Sequence, residues 1–239
     1  MIDISNAKAM ARTLRTSLSE RSIELPHSAC LELVARQFGF ADWNVLSARL
    51  EPPKRPLILP RNWFALGSIS DTTHRLGLDP ERPGTALIES LVARGRGKDL
   101  TGLIAVLMQS IKADAFLGQR LRLSADLRTQ EADLATIWMR VDGDERRGLA
   151  FDNMLDRETE GPLTGTTDWT RRSIVLDVAP EAGSLHYGVF LRGYGRVWAR
   201  HLRVEPVGPE IPVTIIRRRE TCDAANLPGG PANLDFCER

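Results

Sequence analysis

Arg120-Leu-Arg-Leu-Ser-Ala-Asp-Leu-Arg128 is the stretch on which the fold turns. Leu121, Leu123, Ala125 and Leu127 alternate with Arg120, Arg122, Ser124, Asp126 and Arg128, and a period of two places successive side chains on opposite faces of a strand. One face is apolar and must be buried; the other is charged and meets water. To either side the same alternation, or a short apolar run, returns at 63–67, 85–92, 103–111, 134–141, 148–151, 172–178, 185–191 and 196–205. Turn residues separate these runs, among them Asp142-Gly-Asp144, Pro162, Gly165 and Gly193-Tyr-Gly195. About nine strands, interrupted by one short helix near 112–117, predict a mainly β domain, an antiparallel jelly-roll sandwich over residues 62–207.

The first fifty residues have a different period. Ala7, Met10, Ala11, Leu14 and Leu18 share one helical face, and Leu31, Val34, Ala35 and Phe38 share another that ends at Gly39. A third helix follows Asp42, with Trp43, Leu46 and Leu50 turned inward. Residues 1–50 therefore read as a three-helix module, with Phe38 and Trp43 expected as its central plugs. Glu51-Pro-Pro-Lys-Arg-Pro56, with Pro60 beyond, can continue neither a helix nor a central strand, so residues 51–61 read as a stiff linker. Past Pro206 the strand pattern dissolves, and residues 208–239 read as an extended tail that Leu234 and Phe236 dock.

With 42% hydrophobic residues the chain can build a sizeable core, and a net charge of +1 draws it to no polyanion or membrane as a whole. No apolar leader follows Met1, and the longest uninterrupted apolar stretch is 103–108, so the expectation is a soluble, cytoplasmic protein. Three cysteines, Cys30, Cys222 and Cys237, make an odd set without Cys-x-x-Cys spacing, which argues against a disulfide framework. No metal site and no cofactor are expected: His27, His74, His186 and His201 lie in four segments without paired spacing. His186 and His201 would meet only if their strands were neighbours.

Residues 62–207 resemble the sandwich domain of bacterial proteins classed as transcriptional regulators. The likeness is carried by Trp63-Phe-Ala-Leu-Gly67, Gly118-Gln-Arg-Leu-Arg-Leu-Ser124, Trp138-Met-Arg-Val-Asp-Gly143, Phe151-Asp-Asn-Met154, Gly165-Thr-Thr-Asp-Trp169 and Gly195-Arg-Val-Trp198. The resemblance implies a galactose-binding-like sandwich. After Trp198, where that family carries one or two aspartates, this chain has Ala199, Arg200 and His201. The first fifty residues resemble a glyoxalase-related helical module through His27-Ser28, Leu31-Glu-Leu-Val-Ala35 and Phe38-Gly-Phe-Ala-Asp-Trp-Asn44. Three helices cannot assemble the paired βαβββ metal site of a true glyoxalase, so the likeness lends little to a lyase reading.

Candidate site residues follow from chemistry. Asp142, Asp144, Asp152, Asp156 and Asp168 could include a glycosidase pair, although turn-shaping hydrogen bonds explain them more simply. Trp138 and Trp198 sit within apolar strands and read as core, whereas Trp169, at the end of a Gly-Thr loop, reads as a ligand platform with Asp152, Arg157 and Arg140 as polar partners. For nucleic acid the candidates are Arg12 and Arg15 in the helical module and Arg217, Arg218 and Arg219 in the tail. The module's acids nearly cancel its bases, so DNA association is expected to be weak, and docking to a protein is an equal alternative. The leading expectation is a non-enzymatic regulatory protein that binds a small molecule or a protein. A glyoxalase-type lyase or a carbohydrate-active enzyme is the alternative.

Overall fold

The computed structural model describes residues 3–50, 55–68, 70–95, 98–144, 147–214 and 229–237. The chain divides into two compact units, Met1–Arg55 and Pro56–Arg239, and no helix among the described residues is long and apolar enough to cross a membrane.

In the first unit α1 runs Ile4–Ser19, α2 His27–Gln37 and α3 Trp43–Leu50. Asp3 caps α1 by accepting the Asn6 amide at 2.8 Å, and Asp42 does the same for Val45 at 2.8 Å, satisfying donors that have no partner inside a helix. Gly39, at φ 79°, lies just past the end of α2. The centre of the bundle is made of small side chains: Ala7, Ala11, Cys30, Val34, Ala35 and Leu46 are buried, while Phe38 and Trp43 are half-buried around them. This corrects the expectation that the two aromatics plug the core. Alanines on α1 let α2 approach closely, leaving the large rings to cover the rim.

Among the described residues of the second unit nine strands form one connected antiparallel sheet. They are β1 Phe64–Gly67, β2 His74–Leu78, β3 Ala86–Ser90, β4 Ile104–Lys112, β5 Arg120–Gly143, β6 Ala150–Asp152, β7 Leu163–Asp177, β8 Ala182–Arg192 and β9 Arg196–Val207. The expected number arises differently from the way the pattern suggested. Two anticipated strands, 120–128 and 134–141, are one continuous β5, and β2 has no counterpart in the expected set. The short helix is a 3-10 turn at Asp114–Phe116.

β5 makes the two layers of the sandwich. Its first half, residues 120–130, pairs with β9 on one side and β7 on the other. Its second half, 134–143, pairs with β8, and β6 joins at Met139–Val141. The layers are thus β2-β3-β9-β5-β7 and β1-β4-β8-β5-β6, sharing a strand that bends where Glu131 takes φ 50°. Gly195, at φ 100°, sits against this bend, where a Cβ would lie 2.4 Å from the Glu131 carbonyl. Only glycine lets the β8–β9 turn come so close. Asp133 locks the turn in place by accepting the Tyr194 amide at 3.0 Å.

Between the layers lie Leu121, Leu123, Leu127, Ile137, Met139, Ile174, Leu185 and Val197, all at most 1% exposed. The described end of the tail closes this core. Phe236 is 2% exposed and stacks at a tilt on Trp63, centroids 5.3 Å apart. Buried Gln109 donates to the Ala232 carbonyl at 2.9 Å and accepts the Ala232 amide at 3.0 Å. Residues 208–214 also run beside the sheet, with the Thr214 amide donating to Val175 at 2.8 Å. Cys30 is buried and unpaired and Cys237 is exposed; Cys222 lies outside the described residues.

Candidate functional site

The outer face of the first layer is a field of arginines. Because directly opposed residues of an antiparallel pair share a face, the register lines up Arg75, Glu89, Arg196 and Gln130 across four strands, then Trp198 beside Arg128, then Arg200, Asp126 and Arg171. Farther along come Arg203 with Ser124, Glu205 with Arg122, and Arg120 with Asp177. Carboxylates punctuate the field: Arg196 donates to Glu89 at 2.9 Å, Arg122 to Glu205 at 2.7 Å and Arg120 to Asp177 at 2.6 Å.

The middle of the field is its most unusual part. Asp126 on β5 gathers basic side chains from both neighbouring strands: His201 Nδ1 lies 2.9 Å from it, Arg171 donates at 3.1 Å, and Arg200 Nε stands 3.8 Å away. Burial works to raise the Asp126 carboxyl, but the hydrogen bonds from His201 and Arg171 outweigh it and hold the group below its ordinary value, so it stays ionised. Arg200 lays its guanidinium over the Trp169 ring, 3.9 Å from the centroid, a cation–π contact that fixes the plane of both groups. Its Nε is buried and has no hydrogen-bond partner among the described residues.

A β-bulge produces this concentration. Ser124 pairs with Arg203 and Asp126 with Arg200, so β9 spends three steps where β5 spends two. The extra residue is His201, at φ 53°. In a regular strand Arg200 and His201 would point to opposite faces; the bulge turns both outward, and Leu202 returns to the core at 3% exposure.

The anticipated site residues are distributed over both layers. Trp169, expected at the end of a loop, lies within β7, on the same face as Arg171. Asp152 and Arg157 are brought together as an interior ion pair, with the Asp152 side chain fully buried. Asp152 also accepts the Met154 amide at 2.7 Å, and Arg157 donates to the Ser173 carbonyl of β7 at 2.9 Å, tying the 152–157 loop to the strand that bears Trp169. Arg140 belongs to the second layer, where it donates to Asp142 at 2.9 Å. Arg12 and Arg15 are exposed on α1 and line an open groove of about 700 Å³ with His27 and the carboxylates Glu20 and Glu24. Arg217, Arg218 and Arg219 lie outside the described residues. Asp126, Arg171 and Arg200 were not anticipated as a site; the only signal was Arg200-His201 standing where the resembling family has aspartates.

The second layer carries a buried polar row of its own. Ser110 Oγ lies 2.7 Å from His186 Nδ1, and Ser184 Oγ and Asp142 Oδ2 lie 2.9 and 3.1 Å from His186 Nε2. These are the side chains of an acyl-transfer triad, but Ser110, His186 and Asp142 are 6%, 8% and 0% exposed, and the imidazole is wedged between two serines. A nucleophile must meet its substrate, so the row reads as a brace across β4, β8 and β5. Burial works to raise the Asp142 carboxyl, while hydrogen bonds from His186, the Gly148 amide and Arg140 hold it below its usual range. His186 and His201 do not meet, because β8 and β9 are not paired with each other. Among the described residues no three of His, Cys, Asp and Glu converge as metal ligands would.

Comparison with known proteins places the helical unit first. Residues 1–67 match the family described as glyoxalase superfamily protein. A protein of Bacillus subtilis (strain 168) named "Uncharacterized HTH-type transcriptional regulator YbfP" is 35% identical over 179 residues, which is 74% of this chain and 57% of that protein. The chain therefore spans little more than half the length of this relative. Among solved structures, the CBM22-1 xylan-binding domain of Paenibacillus barcinonensis Xyn10C aligns with a TM-score of 0.41 at 10% identity, over 62% of this chain and 88% of that one. The CBM22-1–GH10 modules of Clostridium thermocellum xylanase 10B align with a TM-score of 0.41 at 8% identity, over 64% and 27%. At this depth of similarity neither ligand nor binding residues carry over.

Proposed function

We propose that this chain is a regulatory binding protein of the cytoplasm. Its sandwich holds a ligand or partner on the arginine-rich outer face around Trp169, and its helical module, residues 1–50, couples that event to another macromolecule. The observation that carries the reading is the Asp126 hub with Arg200 stacked on Trp169 at 3.9 Å, a set of polar and aromatic groups held in place by three paired strands rather than by loops. Asp152 and Arg157 enter as the brace of β7 behind Trp169. The relative named as an HTH-type transcriptional regulator supports the regulatory part. Arg12 and Arg15, with Arg217 to Arg219, are the groups proposed to meet phosphates. With Glu20 and Glu24 in the same groove, that association is weak and salt-sensitive.

A thermal-shift screen of the full chain against neutral oligosaccharides, sugar acids, nucleotides and short duplex DNA tests the proposal. The expected result is a ligand that raises the melting temperature of the wild type and leaves that of Trp169→Ala unmoved. If every stabilising ligand acts equally on Trp169→Ala, the binding face has been assigned wrongly.

A further inference from the structure

We infer that the Asp126 hub is an anion-receiving subsite, in which Arg200 and Arg203 take an oxyanion, a carboxylate or a phosphate group, carried by the ligand. The inference rests on the reading of this face as the ligand-holding one and adds the chemical class of what is held.

Three observations lead to it. The first is the local charge. Asp126 has two guanidinium groups and an imidazole around it, so the hub keeps a positive surplus even with His201 neutral. The neighbouring carboxylates are engaged elsewhere, Glu205 by Arg122 at 2.7 Å and Asp168 beside Arg128 at 3.8 Å. Arg203 adds a further cation, exposed and directly opposite Ser124, the same residue whose hydroxyl accepts Arg171 at 2.8 Å. The second is Arg200, whose guanidinium is held in a fixed plane by Trp169 and whose Nε, 3.8 Å from Asp126 Oδ2, makes no hydrogen bond among the described residues. Guanidinium groups present a planar fork of donors matched to two-oxygen anions. The third is the bulge, which sets Arg200 and His201 side by side on one face at a backbone angle that non-glycine residues rarely adopt. Bulges occur where a strand must re-aim a side chain. Here the result is a guanidinium and an imidazole packed closer than regular alternation allows, beside the Arg171 guanidinium that reaches the same carboxylate.

The test follows the Arg200 Nε–H and Trp169 indole N–H signals by NMR on the full chain. Sodium phosphate, or sodium glucuronate in a second arm, replaces sodium chloride at constant ionic strength. Both signals should move saturably with at least one of the two anions, and the tighter arm identifies phosphate or carboxylate as the group received. The double variant Arg200→Gln/Arg203→Gln should weaken the midpoint by about tenfold or more, read on the Trp169 signal. Arg192→Gln, which removes an exposed cation of β8 in the other layer, should leave the midpoint unchanged. Both variants lie on the solvent face, and unchanged signals from the core confirm their fold. Shifts that stay linear for both anions, or a midpoint the double variant does not move, overturn the inference. If that happens while the screen yields a neutral ligand dependent on Trp169, only the anion class falls. If no ligand depends on Trp169, the binding face falls with it.

Discussion

His74 illustrates how one side chain sets a pH limit on the domain. It is 2% exposed on β2, its Nε2 lies 2.9 Å from the Gly193 carbonyl, and its Nδ1 is buried without a partner among the described residues. Burial lowers its pKa, against the opposing pull of the Gly193 hydrogen bond. Above the ordinary histidine value of about 6.5 both folded and unfolded chains carry a neutral ring. Below it the unfolded chain takes up a proton that the folded chain resists, so stability declines as pH falls through that value and levels off below the folded one. Melting temperature should therefore drop from pH 7 toward pH 5, and His74→Gln should flatten the slope. An equally steep decline in the variant would mean that other groups carry it. Asp126 and Asp142, whose folded pKa values are depressed, support the fold above the ordinary carboxylate range and withdraw that support only in stronger acid.

At the scale of the element, the bulge in β9 makes a prediction that strand periodicity alone would get wrong. Deleting a residue from a strand normally exchanges its buried and exposed faces. His201 is the surplus residue of its strand, so its deletion leaves Arg200 outside, Leu202 inside and Arg203 outside. The loss of an exposed hydrogen bond to Asp126 is offset by removal of a left-handed backbone angle worth about 1–2 kcal/mol. The deletion should keep the native circular dichroism spectrum and change unfolding free energy by no more than about 1 kcal/mol. Deletion of Ala125, which is buried on β5 and pairs in regular register with Arg172 of β7, drives Asp126 toward the core and should abolish the cooperative transition. Equal damage from both would mean that the bulge is not where the register places it.

For the whole sandwich unit, the last described residues hold the first strand's approach. Phe236 and Trp63, 173 positions apart, pack on each other beneath Gln109, and the Trp63 indole donates to Ala232 at 3.3 Å. Phe236→Ala should reduce stability by about 3–5 kcal/mol in urea unfolding, as for other buried phenylalanines. A loss within error would mean that the tail end is not part of the core. The strand alternation in 120–128 and the helical periods of the first fifty residues were legible because each is a local pattern, readable from residues that follow one another. The same holds for Leu234 and Phe236, expected to dock the tail, which are apolar residues following the Pro- and Gly-rich run 228–231. The packing of alanines at the centre of the helical unit was not legible, because which faces approach closest is a property of the assembled bundle. Nor were the fusion of two expected strands into β5 or the strand β2. Nor was the Asp126 hub, which joins side chains 45 and 75 residues apart. By itself the sequence determined the alternation of the strands, the helical module and the charged character of the outer faces, since burial of apolar area acts on neighbouring residues one at a time. Only the tertiary structure decided which strands lie side by side and where β9 bulges, because cross-strand register is a choice among distant pairings that no local period encodes.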